Sequence, residues 1–406
     1  MKKLFALISF ILVIQLNGQN LNQVKADLEK LTSPEFAGRG YVEDGLGKAS
    51  DFLQNRLKKM GLEPAIQSYG YAVNTFPKLS TLKIGKQKLK EGVDFIIDPR
   101  SNSHKGKWKI MRLDSATLLS TAVPVLPKGS IPVIDTKGID TPDEVSIQHD
   151  FVKAALSRGP VILLKHKLTW SVGQQTLTSP IFEVLTSSFP ADAEKLSLKT
   201  QPTQIEFTAE NIIAKIEGKR SDSLLVFTAH YDHLGKMGNA LFAGASDNAT
   251  GIATLLDLAS HYSQNQPEYD TYFIFFSGEE AGLIGSRYFV EYPTFDLEEV
   301  KFLINLDLMG SAEKGITIVN GRLHQGRMAK MAAINTDQNL VPKIKLRGKA
   351  ANSDHYWFSE KGVPAVFIYT EGNITAYHDI YDLPTVVDWS NYEEVFTLLT
   401  EFVKTL

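Results

Sequence analysis

The sequence predicts an α/β fold: a mixed, largely parallel central sheet covered by helices on both faces, with an inserted β-rich module. Three observations carry this. From Asn211 onward, near-continuous apolar runs alternate with segments of helical period, the pattern of buried strands joined by crossover helices. Residues about 109–205 have a different texture, with compact apolar runs such as Ile131-Pro-Val-Ile-Asp135 and Pro160-Val-Ile-Leu-Leu164. The chain of 406 residues is 43% hydrophobic and 22% charged, which is globular and long enough for more than one core.

The elements follow in order. Met1-Lys-Lys precedes an apolar run from Leu4 to Leu16 and then Asn17-Gly18-Gln19. A basic start, a short apolar stretch and a small residue read as a secretory signal peptide. The run is short for a membrane span. Residues 1–18 are therefore expected to be removed, leaving an exported protein, periplasmic or secreted, without stable membrane insertion. Leu21 to Leu31 reads as an amphipathic helix, and Phe36-Ala-Gly-Arg-Gly40 as a loop. Gly45 to Leu62 carries Ala49, Phe52, Leu53, Leu57 and Met60 near helical period, with Gly61 as the stop. Ser68 to about Trp108 reads as short strands and turns, and Val152 to Ser157 as a helix. Beyond Asn211, strands are expected at Ile212–Ile216, Leu224–Ala229, Tyr272–Phe276, Phe302–Leu306 and Val363–Ile368. A helix from Gly251 to His261 presents Ile252, Leu255, Leu256 and Ala259 on one face. Ser353 is expected to cap another, ended by Gly362.

Composition narrows the function. Lys and Arg total 43 against 46 acids, so there is no positive excess to collect phosphates, and a nucleic-acid partner is not expected. With no cysteine, disulfides, thiolate zinc sites, iron–sulfur clusters and a cysteine nucleophile are excluded.

The chemistry-bearing residues follow the apolar runs. Leu224–Ala229 ends in His230-Tyr-Asp232-His233, and Tyr272–Phe276 runs into Ser277-Gly-Glu279-Glu280. Phe302–Leu306 ends at Asp307, and Val363–Ile368 leads to Tyr377-His378-Asp379. Asp247 opens the helix after the first of these. In open α/β sheets ligands bind beyond the carboxyl ends of the strands, so all these residues fall on one rim. Alone, His230 reads as a hydrogen-bonded strand-end histidine, Asp247 as a helix cap and Glu279-Glu280 as first-turn acids. Together, histidines and carboxylates of this kind suffice for two divalent cations; oxygen and imidazole donors favour zinc, with manganese or cobalt also accepted. One carboxylate such as Asp247 can bridge two ions, and adjacent Glu279 and Glu280 can divide ligation from proton transfer. His233 and His355 read as structural or pocket-lining residues, and Asp382 as shaping the loop after His378.

Six segments in order carry a resemblance: Ala229-His-Tyr-Asp-His-Leu-Gly235, Gly244-Ala-Ser-Asp-Asn-Ala-Thr-Gly251, Phe276 to Ser286, Asn305-Leu-Asp307, Ser353-Asp-His355 and Tyr377-His378. They resemble the M28 family of co-catalytic dizinc aminopeptidases, strongly from residue 211. Gly38-Arg39 and the helix to Leu62 also resemble that family's start, and 109–205 weakly resembles a protease-associated domain. The resemblance implies a phosphorylase/hydrolase-like zinc-exopeptidase fold, with residues 19–108 and 206–406 as the peptidase domain and 109–205 as the insert. It implies two zinc ions, one held by His230 and Asp307, the other by Glu280 and His378, with Asp247 between them. It implies Glu279 as general base for a zinc-activated water, Asp232 behind His230, Tyr377 as oxyanion donor, and a cis peptide at Asp247-Asn248. The implied substrates are peptides with a free N-terminus.

Two rivals remain. Glutaminyl-peptide cyclotransferases share the fold and use a single zinc, but usually have Trp where this chain has Tyr377, and lack Asn248-Ala-Thr-Gly251. An inactive binding protein on the same scaffold would have lost ligands that this chain retains. Met237, Phe242, Trp357 and Phe358 are candidate walls for an apolar N-terminal side chain. Arg287, Arg347 and Lys349 are the only basic candidates for holding a substrate carboxylate, as carboxypeptidase action would need.

Overall fold

The computed structural model describes residues 20–120, 125–139 and 141–406. The expected signal segment lies outside them. No helix among the described residues is long and apolar enough to cross a membrane.

One eight-stranded sheet organises the molecule. Its order is Ala65–Thr75, Thr203–Ile216, Tyr269–Phe276, Arg220–His230, Val300–Leu306, Ala365–Glu371, Gly315–Val319 and Ile344–Leu346. The four central strands from Tyr269–Phe276 to Ala365–Glu371 run parallel, and Thr203–Ile216 and Gly315–Val319 flank them antiparallel. The near-continuous apolar runs follow from this position, because both faces are covered. Leu225, Phe227 and Ala229 pack into one core, while Leu224 and Val226, alternating with them, pack into the other. The first core is closed by Leu21–Leu31, Gly45–Lys59, Thr250–Gln264, Gln325–Gln338 and Tyr392–Val403, each presenting an apolar stripe such as Ile252, Leu255, Leu256 and Ala259. The second core is closed by Ile284–Glu291 and His355–Glu360 through Phe289, Val290 and Phe358.

A second eight-stranded sheet has the order Gln87–Leu89, Thr81–Ile84, Lys195–Thr200, His104–Leu113, Ser130–Asp135, Val161–Lys165, Ile181–Leu185 and Phe95–Ile97. It begins at Thr81, upstream of the change in texture at about 109. Its first strands pair with Lys195–Thr200 and Ile181–Leu185, so the residues between 81 and 108 close this sheet rather than the first one. The helix Pro142–Leu156, longer than the stretch read from sequence, opens with a capping box between Thr141 and Glu144. It packs Phe151, Val152, Ala155 and Leu156 against the parallel strands.

Arg39 ties the end of the first helix to the segments that follow His230 and precede Asp247. The Phe36–Gly40 stretch, read as a loop, follows the short turn opened by Pro34, and its backbone leaves the helical region at Ala37 and Gly38. Gly40 passes so close to the Gly235 backbone that a Cβ on Gly40 would collide with it, which explains glycine at both positions. The fully buried Arg39 side chain donates to the carbonyls of Tyr231 (2.9 Å), Ala243 (2.7 Å), Gly244 (2.7 Å), Leu31 (3.2 Å) and Asp247 (3.4 Å). All five guanidinium protons are used.

Candidate metal centre

The parallel central strands bring their carboxyl ends to one rim. His230 is the last residue of Arg220–His230, and Asp307 follows Val300–Leu306 directly. Glu279 and Glu280 lie just beyond Tyr269–Phe276, and His378 lies in the loop after Ala365–Glu371. Asp247 comes from the irregular turn Ala245–Ala249 that leads into Thr250–Gln264, and the Asp247–Asn248 peptide is cis.

These side chains converge. His230 Nε2 lies 3.4 Å from Asp247 Oδ1 and 3.5 Å from Asp307 Oδ2. His378 Nε2 lies 3.0 Å from Asp247 Oδ2 and 3.2 Å from Glu280 Oε2. Asp247 thus turns one carboxylate oxygen toward each histidine. Glu279 and Tyr377 line the same cavity of about 280 Å³. Tyr377 stacks its ring on His378, with centroids 4.0 Å apart.

A layer of hydrogen bonds holds this set. Asp232 stands behind His230 with Oδ1 3.7 Å from Nδ1, but the nearer partner of Nδ1 is the Asp232 main-chain oxygen at 3.2 Å. The Asp232 carboxylate instead accepts the amides of Glu279 and Glu280, both at 3.2 Å, and so fixes the turn that presents the two acids. Ser353 was expected to cap a helix. Its hydroxyl donates instead to Asp307 Oδ2 at 2.9 Å and accepts from Asn305. Asp382 reaches past its own loop, and its carboxylate accepts the amides of Ser246 (2.8 Å) and Asp247 (3.0 Å). His233, fully buried, places Nδ1 2.7 Å from Glu280 Oε1.

Burial dominates the electrostatics. It drives the Glu279 carboxyl well above the usual glutamate range; His230 opposes this and Glu280 adds to it. Burial also penalises charge on Glu280, yet His378 and His233 outweigh it and hold that carboxyl well below the usual range. For His378, burial disfavours the proton, but Glu280 and Asp247 prevail and lift it to about 11. Asp307 Oδ1 is buried with no hydrogen-bond partner.

Residues 211–403 match the family model described as peptidase family M28. That match spans just under half of the chain. Over 194 residues the chain is 26% identical to leucine aminopeptidase 1 of Leptosphaeria maculans, covering 44% of this chain and 49% of that protein. Over 129 residues it is 29% identical to a vacuolar membrane protease of Candida glabrata, covering 32% of this chain and 13% of that protein. The chain thus spans about half, or far less, of these relatives' length. A solved zinc aminopeptidase from Bacillus subtilis shares the fold, with a TM-score of 0.72 and 18% identity over 95% of this chain and 94% of that one.

Within residues 211–403, the walls of the cavity differ from those expected. Met237, Phe242 and Phe358 are buried in hydrophobic cores, and Trp357 packs against the core that holds Phe358. The walls are Leu308, Arg347, Asn352, Phe367 and Tyr369. Sequence reasoning passed over Asp354, which is buried beside the site, its carboxyl raised by burial to about 7. The second sheet also reaches the rim. Trp170 donates its amide to the His378 carbonyl at 2.8 Å, and its own carbonyl lies 3.1 Å from His378 Nδ1. Lys167 donates to Thr375 O at 3.0 Å, and Gln174 to Ala281 O.

Proposed function

We propose that the chain is an exported aminopeptidase that uses two zinc ions to remove N-terminal residues from peptides. The observation that carries this reading is Asp247. One of its oxygens faces His230 beside Asp307, and the other faces His378 beside Glu280. Two three-donor groups sharing one carboxylate suit two cations, His230 and Asp307 serving one, Glu280 and His378 the other. The donors fit: all are imidazole nitrogen or carboxylate oxygen, which zinc accepts. Asp247, Glu279, Glu280 and Asp307 face one small cavity, where protonated imidazoles offset them only in part. The unpartnered Asp307 Oδ1 supports the same conclusion.

Bound there, two divalent cations supply Lewis acidity toward a peptide carbonyl and lower the pKa of water. Glu279 takes the proton of the attacking water and delivers it to the departing amine. A buried carboxyl raised by its surroundings suits that task near neutral pH. The Tyr377 hydroxyl, which burial and the nearby Asp247 keep protonated, donates to the oxygen on which charge develops. The carbonyls near His230 and His378 Nδ1 fix the orientation of both rings. Export is the fate read from residues 1–18, and N-terminal sequencing of protein recovered from the medium or periplasm tests it.

The deciding experiment incubates the zinc-loaded protein with defined peptides and reads products by mass spectrometry. Stepwise loss of free N-terminal residues, with an N-acetylated peptide untouched and a chelator abolishing the signal, is expected. Loss of ammonia alone from a Gln-initiated peptide would establish the cyclotransferase instead. Glu279→Gln is expected to retain two metals per chain by elemental analysis and to lose turnover by at least ~10².

A further inference from the structure

Basic residues alternate along Lys343-Ile-Lys345-Leu-Arg347-Gly-Lys349. Lys345 pairs with Glu371 at 3.4 Å, and Lys349 pairs with Glu360. Arg287, another basic candidate from the sequence, pairs with Glu291 at 3.0 Å and lies over the Trp357 ring. Arg347 differs from all three. It is half-buried, lines the cavity that holds Asp247, Glu279, Asp307 and His378, and makes no ion pair among the described residues. Its side chain donates to the Tyr369 hydroxyl at 3.3 Å. Its backbone N–H donates to Ile318 O at 2.8 Å, and its carbonyl accepts from the Arg322 N–H at 3.1 Å. The guanidinium is thus held at the cavity wall with donors to spare.

We propose that Arg347 binds a carboxylate of the substrate and makes this a peptidase that prefers acidic ligands. The inference rests on the two-cation reading above. Two divalent cations balance the charges of Asp247, Glu279, Glu280 and Asp307, the four carboxylates lining the cavity. The charge of Arg347 is then left without a counterion. A partly desolvated cation is costly without an anion, and a guanidinium fork matches a carboxylate in shape. Asn352 on the same wall adds an amide donor, while Leu308 and Phe367 give apolar contact for the stem that carries the acid. The carboxylate comes either from the side chain of an N-terminal Glu or Asp, or from the C-terminus of a dipeptide. The cavity, at about 280 Å³, is small enough for either.

Four substrates separate the sources: Glu-Ala-amide against its neutral isostere Gln-Ala-amide, and Leu-Ala against Leu-Ala-amide. The zinc-loaded protein is expected to show kcat/KM at least ~10-fold higher for one acid than for its neutral partner, mostly through KM, as a charge-assisted hydrogen bond in a partly buried site allows. Arg347→Gln is expected to bring that ratio close to one, and Arg347→Lys to keep part of it. The same pairs are titrated calorimetrically into the zinc-loaded Glu279→Gln protein, where they bind without turnover, and the acid is expected to bind more tightly there but not when Arg347→Gln is added. If neither acid is favoured in turnover or in binding, the proposal is overturned, even with peptides hydrolysed. If the acid binds selectively through Arg347 while no peptide is hydrolysed, the proposal stands and the aminopeptidase reading falls. A selectivity that survives Arg347→Gln also overturns it.

Discussion

Replacing Arg39 by lysine keeps the charge and removes the fork. Lysine offers three donors where arginine offers five, so at least two of the carbonyls of Leu31, Tyr231, Ala243, Gly244 and Asp247 lose their partner. Water does not replace it, because Arg39 is wholly buried. Two lost bonds from a charged donor correspond to about 3–6 kcal/mol, at about 1.5–3 kcal/mol each. The charge itself persists, since burial lowers the guanidinium only to about 10, with Asp382 and Asp247 opposing the fall. Three of the five carbonyls, those of Ala243, Gly244 and Asp247, belong to the segment that delivers Asp247, and Tyr231 adjoins His230, so metal affinity is expected to fall together with stability. Urea unfolding of the metal-free protein is expected to show a midpoint lower by on the order of 1 M. Zinc competition with a chromophoric chelator reads the second effect. An unchanged midpoint together with unchanged zinc affinity would refute the reasoning.

Three further perturbations follow. Burial depresses His355 to about 4, against an ordinary value near 6.5, so between those pH values the unfolded chain binds a proton that the folded one refuses. Stability is therefore fully present above about pH 6.5 and falls by up to about 3 kcal/mol as pH drops toward 4; His355→Phe is expected to flatten that slope in denaturant titrations, and parallel curves would contradict it. Asp382→Ala releases the amides of Ser246 and Asp247 and is expected to weaken zinc binding by about 10–100-fold, measured by chelator competition. Gly244 has φ +60° and faces the His233 ring and the Asp247 carbonyl, so Gly244→Ala is expected to lose about 1–3 kcal/mol in the same unfolding assay.

How far the sequence could be read depended on whether a feature is local. The central strands were legible because burial on both faces makes them apolar throughout, as in Leu224–Ala229. The rim residues were legible because a parallel sheet puts every strand end on one edge, whatever the strand order. Ile344–Leu346 is the opposite case: as an edge strand it carries Lys345 on a half-exposed run and gives no apolar signal. The start of the second sheet at Thr81 is set by pairing with Lys195–Thr200, more than a hundred residues away, which no local pattern encodes. Ser353 and Asp382 show only half of their work locally. Each keeps local backbone hydrogen bonds of the kind its sequence suggests, and each spends its side chain on a distant segment. The apolar walls were misplaced because large residues near the motifs, such as Phe242 and Phe358, sink into cores, leaving Leu308, Phe367 and Tyr369 to face the site beside Arg347, which the sequence had named among its basic candidates.

The strand-free stretch 167–174 of the second sheet grips the loop of His378 from Thr375 onward and, through Gln174, the turn after Glu280. It makes the second sheet a structural part of the rim that carries His378 and Glu280, and not a cassette beside it. During divergence, the two parts could therefore change sequence freely only where they do not meet. Exchanging this module between relatives would carry across a new seat for the histidine, so chimeras should succeed when the junction keeps 167–174 with its own rim and fail when it follows the boundary of the sheet.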